Sequence, residues 1–286
     1  MTETSTRTGS AARTARTETS ASADAGDLAR VTANFRQYLA GWGEEWHAEG
    51  DLDHYRSGLA QPQFNGVVRI RSLDAVGPAV AAARTDLAGV PWWWWVGPDS
   101  PEGTAAALVE HGAVALGTLP LMIRPLDGAA EPAGPSADPS ADPTTDPTAG
   151  PRIEVVEEPG RLTELVRTYS ASMGVAPGLA ADVVRIEAGR ADNADIVRLA
   201  AVLDGRVVGT TVVIAAHEVA GVFLVHVAET HRRRGIGGAL TAAALRVGRE
   251  RGMRSAALLA SPAGEPLYRR YGFAAVSSYQ LFTLPV

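Results

Sequence analysis

The chain has 286 residues, 46% of them hydrophobic, and a formal net charge of −6, which is enough material for two ordinary domains. It has no cysteine, and all 26 of its basic residues are arginine, so disulfides, thiolate metal sites, Walker A loops and lysine Schiff bases are excluded. The sequence has no apolar run of membrane-span length and no signal-peptide pattern, and we expect a soluble cytoplasmic protein.

Two segments of low complexity divide the chain. Residues 1–26 contain almost nothing to bury, which predicts a disordered tail. Residues 128–151 repeat small residues with Asp-Pro pairs, which favours a semi-stiff linker. They leave a first half, residues 27–127, and a second half, residues 152–286. From residue 151 onward, sixteen arginines against thirteen acidic residues give a charge of +3 and leave −9 for the rest.

The first half contains Pro91 followed by four tryptophans, Trp92 to Trp95. Alternate rings on a strand point to opposite faces, so this run predicts burial in a two-sided sheet, or an aromatic surface at the other half, at an acceptor pocket or at a homodimer contact. Residues 112–126 align without gaps on residues 272–286. We interpret the first half as a smaller α/β domain without a glycine-rich turn. It is either a degenerate repeat of the second half or shares this short match by chance, as two strand-helix-strand units can.

The second half alternates strand and helix patterns. Its apolar periodicity and turn residues predict the following elements in chain order: a strand at 153–156, a helix at 161–172, a hairpin of strands 196–203 and 207–215 joined at Asp204-Gly205, a strand at 222–227, a glycine-rich turn with a helix, a strand at 255–260, a helix at 265–271 and closing strands from 273 to 284. The predicted class is α/β, with a mixed, mostly antiparallel central sheet flanked by helices.

The glycine-rich turn is Arg232-Arg-Arg-Gly235-Ile-Gly237-Gly238. A turn that ends a strand and opens a helix presents unpaired backbone N–H groups at the positive end of the helix dipole, where phosphate oxygens bind. Its arginines add charge for a diphosphate or for the 3′-phosphate of coenzyme A. Leu240 stands where a dinucleotide fingerprint needs its third glycine, which disfavours that motif. A plain helix N-terminus with an exposed arginine loop is the other interpretation.

These residues resemble the GNAT superfamily of acyl-CoA-dependent N-acetyltransferases. The run from Arg232 to Gly237 satisfies the family's pyrophosphate signature, [Arg or Gln]-x-x-Gly-x-[Gly or Ala]. Leu267-Tyr268-Arg-Arg-Tyr271-Gly272-Phe273 is similar to the second signature, a helix ending in Gly-Phe with a tyrosine near its start. The resemblance covers residues 152–286. It implies a GNAT-like sheet, acetyl-CoA as co-substrate, no metal, and acyl transfer to a primary amine by direct attack.

The resemblance also implies roles for individual residues. A backbone N–H near Val227 polarises the thioester carbonyl, as an oxyanion hole does. Tyr268 protonates the departing thiolate, for which a phenol in a dry pocket is suited; a packed core tyrosine is the alternative. Ser261 replaces a cofactor-contacting asparagine and, being shorter, makes the contact weakly or through water. The expected cofactor-binding residues are Val225, His226, Val227, Arg232, Arg233, Arg234, Gly235, Ile236, Gly237, Gly238 and Ser261.

The general base is left open among Glu187, His226, Glu229 and a water relay. His217-Glu218 begins like a zincin motif, but Gly221 stands where the second histidine is needed. No metal site is predicted. Since no large basic patch with interleaved aromatics is present, we expect no nucleic-acid partner, and we expect no membrane partner.

The sequence therefore predicts an N-acetyltransferase whose acceptor is an amine of a small molecule or peptide. The alternative is a non-catalytic acyl-CoA-binding regulatory module that keeps the fold and the turn. Acceptor identity, acyl-chain length and a homodimeric state stay open.

Overall fold

A computed structural model of the protein describes residues 25–48, 50–127 and 150–285. Most of the predicted tail and of the predicted linker lies outside these ranges. The helices of the described ranges are α1 Ala25–Ala40, α2 Val76–Asp86, α3 Thr104–Glu110, α4 Pro159–Met173, α5 Ala180–Ala188, α6 Ile236–Glu250 and α7 Glu265–Arg270. The strands are β1 Glu45–His47, β2 Leu52–Arg56, β3 Asn65–Ile70, β4 Trp93–Val96, β5 Val114–Pro125, β6 Arg152–Val155, β7 Ile196–Leu203, β8 Arg206–Ala216, β9 Val219–Val227, β10 Ser255–Leu259 and β11 Ala274–Thr283.

These strands form one sheet in the order β1-β2-β3-β4-β11-β5-β10-β9-β8-β7-β6. The pairs β3–β4 and β9–β10 are parallel, and the other neighbouring pairs are antiparallel. The mixed, mostly antiparallel sheet predicted from the sequence is confirmed.

The two halves exchange their last strands at the middle of the sheet. β5, from the first half, lies between β11 and β10, whereas β11, from the second half, lies between β5 and β4. Each half therefore borrows a strand to complete its part of the sheet. As a consequence, β10 of the second half is hydrogen-bonded to a strand of the first half.

Strands β5 and β11 are related by a local symmetry. They pair antiparallel around Leu119 and Tyr279, which occupy equal positions in the aligned stretches 112–126 and 272–286. One residue breaks the register in each strand, Leu116 in β5 and Val276 in β11, and these positions are also equal. This likeness fits the predicted repeat, while common ancestry of the halves stays a prediction.

Helices cover both faces of the sheet. α1, α4 and α5 share one core, which includes Trp95 and Tyr279. On the opposite face α6 packs over β8 and β9, and α2 packs with α3 over a core that includes Trp94. Trp92, Trp94 and Trp95 are buried, so the tryptophan run fills the core on both faces of the sheet.

Helix α1 is fixed to the β8–β9 hairpin by Asn34. Its buried amide donates to the carbonyls of Ile214, Ala216 and Val219 at 3.0, 3.1 and 3.2 Å. Asn34→Ala leaves these carbonyls short of a donor, and we expect the free energy of unfolding to fall by about 1–3 kcal/mol. Urea unfolding of Asn34→Ala beside wild type measures the effect. Equal free energies of unfolding in the two proteins would contradict it.

Candidate functional site

Strands β9 and β10 separate and leave a gap in the sheet. They pair only from Ser255 with Val219 to Ala257 with Gly221, although β9 continues to Val227. The edge of β9 beyond Gly221 therefore faces the gap without a ladder partner.

A bulge in β9 shapes its side of the gap. The register with β8 shifts between Phe223 and His226, and Leu224 has a left-handed φ of 52°, which is uncommon for a residue other than glycine. The hydroxyls of Thr210 and Thr211 donate to the carbonyls of Leu224 and Phe223 at 2.8 and 3.2 Å. These two threonines stabilise the bulge. The sequence did not predict this role, because a Thr-Thr pair is typical of an ordinary strand.

Beyond the bulge, the N–H of Val227 points into the gap. Ala228 N donates to Val208 O at 2.9 Å, and His226 pairs with Thr210, so the intervening N–H faces away from β8. It has no hydrogen-bond partner in the part of the chain that the structure describes. The geometry suits the predicted donor to a thioester carbonyl, and that role stays a prediction.

The turn after β9 presents a row of backbone donors. Within the described ranges the N–H groups of residues 233–238 donate no hydrogen bond, and the next N–H, that of Ala239, donates to Gly235 O at 3.0 Å. Arg233 and Gly235 have left-handed φ values of 65° and 79°, which curve the backbone around this row. Successive N–H groups in such a curve form an anion-binding concavity.

The arginines of the turn are available to an anionic ligand. Arg232, Arg233 and Arg234 are exposed, and none of them forms an ion pair with a carboxylate of the described residues. Arg232 Nε also donates to Val227 O at 3.2 Å, which ties the turn to the end of β9. The turn, its charges and the gap thus lie side by side.

Helix α7 packs against the same turn. A β-carbon placed on Gly237 would lie 3.3 Å from Leu267 Cδ2 and 3.9 Å from Val227 Cγ2. One placed on Gly238 would lie 2.7 Å from the Tyr271 hydroxyl. These glycines let α7 approach the start of α6 closely.

Tyr268 of α7 is 8% exposed, and its ring lies edge-on to Phe273 with 6.0 Å between centroids. Burial raises the pKa of its hydroxyl to about 12. The phenol therefore keeps its proton at neutral pH, and this proton is available for donation. Its packing also fits the core-tyrosine alternative, and catalysis by Tyr268 stays a prediction.

Ser261 begins the turn into α7. Its hydroxyl accepts a hydrogen bond from Gly264 N at 3.2 Å, and its carbonyl accepts from Gly264 N and Glu265 N at 2.9 Å each. The side chain is exposed. The hydroxyl thus has a local structural partner, and its predicted contact with the cofactor is not tested by this geometry.

Two of the candidate bases lie in different surroundings. Glu187 is 1% exposed, its Oε1 accepts from Arg198 Nε at 2.6 Å and its Oε2 from the Tyr169 hydroxyl at 3.4 Å. With both oxygens engaged, this carboxylate joins α5 to β7 and α4, and we do not assign it the base role. Glu229 is exposed just before the turn.

The third candidate, His226, is half-buried on β9. Burial, together with the nearby positive charge of Arg232, lowers the pKa of His226 to about 4. The imidazole is therefore neutral at pH 7 and free to accept a proton, but it is a weak base.

This shift predicts loss of stability in acid. The unfolded chain takes up the proton near the ordinary histidine pKa and the folded chain only near pH 4, so stability is full above the first value and falls as pH drops towards the second. His226→Gln should remove this contribution, at most about 3 kcal/mol. Urea unfolding across the same pH window, wild type beside variant, measures it. Parallel pH profiles would contradict it.

Within the described ranges, no cluster of three or more histidine, aspartate or glutamate side chains is arranged to hold a metal ion. None of the helices in those ranges combines the length and the apolarity needed to cross a membrane.

The acetyltransferase (GNAT) family model matches residues 164–273, a segment that contains β9, the turn, α6 and α7. Among solved structures, the chain is similar to a GCN5-related N-acetyltransferase from Kribbella flavida, with 21% identity, a TM-score of 0.64 and coverage of 92% of this chain and 97% of that chain. It is also similar to a putative GNAT acetyltransferase from Novosphingobium aromaticivorans, with 16% identity, a TM-score of 0.51 and coverage of 91% and 97%. A tandem GNAT protein from the clavulanic acid biosynthesis pathway gives 15% identity, a TM-score of 0.53 and coverage of 91% and 96%. A search of curated proteins found no match.

At these identities the solved structures establish the fold, and they do so over both halves of the chain. The family model adds a match within the second half, and this match includes the glycine-rich turn and the Gly272-Phe273 signature. Residues 164–273 thus match an acetyltransferase (GNAT) domain, and this match together with the fold supports a transferase.

Proposed function

We propose that the protein transfers an acetyl group from acetyl-CoA to a primary amine of a small molecule or peptide. The observation that carries the proposal is that two sets of free backbone donors border one gap. The N–H groups of residues 233–238 lie in the turn that follows β9, and the N–H of Val227 lies at the last residue of β9. These donors match the diphosphate and the thioester carbonyl of an acyl-CoA.

Different groups of the chain bind different parts of acetyl-CoA. The N–H row of the turn holds the diphosphate, and the exposed guanidinium groups of Arg232, Arg233 and Arg234 add charge for phosphate oxygens. Gly237 lets the backbone of the turn lie close to Leu267 of α7 and Val227 of β9. No metal is needed for these contacts.

In the transfer itself, the amine nitrogen attacks the thioester carbon, a C–N bond forms, the C–S bond breaks, and the products are an N-acetyl amine and the CoA thiol. The Val227 N–H stabilises negative charge that develops on the carbonyl oxygen. Tyr268 supplies a proton to the leaving sulfur. The amine's proton leaves to water or to His226 or Glu229.

The acceptor is proposed to approach from the face that carries α1. Tyr38 of α1 stacks on Phe223 at the β9 bulge, with 4.0 Å between centroids and 2° between ring planes. The first half thus forms a wall beside the gap, on the face opposite α6. Its net negative charge favours approach of a cationic amine.

The alternative is a non-catalytic acyl-CoA-binding module. It needs the phosphate turn but does not require a proton-donating phenol. Tyr268, on a helix that contacts that turn, favours the enzyme.

The test is thiol release from acetyl-CoA with a panel of polyamines, aminoglycosides and peptides with free N-termini. For the right acceptor class we expect kcat/KM of about 10⁴ M⁻¹s⁻¹ or more. Binding of acetyl-CoA without thiol release for any amine would favour the binding module.

A further inference from the structure

Arg124 extends from β5, a strand of the first half, to the end of helix α7 in the second half. It is 5% exposed, and its Nη1 donates to Tyr271 O at 2.6 Å. A β-carbon on Gly272 would lie 3.5 Å from Arg124 Nε, so the guanidinium lies against the residue that ends the helix. A guanidinium from one half therefore contacts the helix that carries Tyr268 in the other.

The position matters because α7 has only six residues. The last carbonyls of a helix lack intrahelical partners, and the negative end of the helix dipole lies there. Phe273 N and Gly272 N donate to Tyr268 O and Arg269 O, and Arg124 supplies a charged donor to Tyr271 O. A short helix with little stability of its own is thus held by a group outside it.

Helix α7 in turn contacts both functional elements of the site. Tyr268 lies on it, Leu267 packs on Gly237 and the Tyr271 hydroxyl packs on Gly238. A shift of α7 would therefore change the position of the phenol and the packing under the phosphate turn together.

The residue at the aligned position of the other half is different. In the alignment of residues 112–126 with 272–286, Arg124 corresponds to Leu284, which is buried in the core with α2 and α3. Because the strands are exchanged, the apolar side chain of Leu284 packs in the first half, which has no glycine-rich turn. The guanidinium of Arg124 packs in the second half, which has the turn.

We propose that Arg124 is a positioning residue that holds α7, and through it Tyr268 and the phosphate turn, so that the first half is a working part of the transferase site. The inference concerns the reaction assigned under Proposed function and rests on it. It also predicts a structural effect that can be measured without turnover.

The first test is hydrogen exchange of the unliganded protein in peptides that cover residues 264–273. In Arg124→Met these amides should exchange at least about tenfold faster than in wild type. Arg124→Lys, which keeps the charge but not the planar fork, should fall between the two. Arg269→Met removes an exposed guanidinium from α7 that pairs with Glu265 of the same helix, and it should leave exchange near the wild-type rate.

The second test is a kinetic cycle of Arg124→Met with Tyr268→Phe. Arg124→Met alone should lower kcat by about 10- to 100-fold, as expected for a displaced catalytic group. If Arg124 acts through Tyr268, the loss from Tyr268→Phe should be at least about tenfold smaller in the Arg124→Met background than in wild type. If Arg124→Met does not fold, Arg124→Lys takes its place in the cycle.

The inference is overturned if hydrogen exchange of α7 is unchanged in Arg124→Met. It is also overturned if the fold-losses in kcat from Arg124→Met and Tyr268→Phe multiply in the double variant. If α7 loosens as expected but the wild type releases no thiol with any amine, the proposed function fails while the role of Arg124 in holding α7 stands. The two failures are thereby distinguished.

Discussion

Tyr268→Phe should lower kcat by about 10²–10³-fold, the usual contribution of a positioned proton donor, and leave the Kd of acetyl-CoA within about twofold. The substitution removes one hydroxyl and keeps the ring that packs on Phe273. Because burial raises the pKa of this phenol to about 12, its proton is present throughout the neutral range. Deprotonation of Tyr268 should therefore produce no alkaline limb in the wild-type rate until pH approaches 12.

Steady-state kinetics with acetyl-CoA and an accepted amine, together with calorimetric binding, measure this expectation. Tyr55→Phe is the control, since the Tyr55 hydroxyl is also buried but bonds to Gln63 O in the first half. A kcat for Tyr268→Phe within about threefold of wild type would assign Tyr268 to the core and remove it from the mechanism.

Gly237→Glu should raise the Kd of acetyl-CoA by at least about 100-fold, a loss of about 2.7 kcal/mol. The new side chain would start 3.3 Å from Leu267 and 3.9 Å from Val227, so it would press against these side chains and bring a carboxylate to the proposed phosphate-binding row. The fold should survive, because glutamate in the first turn is favourable for a helix. The binding loss is then a property of the site.

Gly160→Glu gives a matched control for this variant. Gly160 is the second residue of α4 as Gly237 is of α6, and a β-carbon there would meet nothing within 4 Å. Calorimetric titration should show wild-type affinity in Gly160→Glu and weak binding in Gly237→Glu. Equal affinities would place the cofactor elsewhere.

The elements of the second half could be predicted because their signals are local. The hairpin at Asp204-Gly205 is present, with Asp204 and Gly205 at φ 50° and 74°, and the helix predicted at residues 161–172 extends over Pro159–Met173. The glycine-rich turn lies where the sequence places it, between β9 and α6. Its proposed function as a phosphate site depends on free N–H groups, which follow from where a helix begins.

The exchange of β5 and β11 could not be predicted from the sequence, because the two strands have similar sequence patterns. Residues 112–126 and 272–286 have similar apolar patterns, and the pattern alone does not decide which stretch pairs with β10. The contact between Arg124 and Tyr271 spans 147 positions in the sequence. Only tertiary packing decides which strand lies where.

The conformation or the partner of some single residues could also not be predicted from the sequence. Leu224 has the left-handed φ of the β9 bulge. A leucine, unlike a glycine, does not predict this conformation. Glu187 has the sequence context of a solvated helix charge, yet it is buried and paired with Arg198 of β7. In both cases the deciding partner comes from a distant strand.

The central claim is amine-dependent acetyl transfer by the purified full chain. The most direct measurement follows the CoA thiol and the acetylated amine in the same reaction, with mass spectrometry identifying the product. We expect both to appear in equal amounts, and neither to appear without the enzyme or without the amine. Thiol release with no acetylated amine, or no thiol release with any amine of the panel, would contradict it.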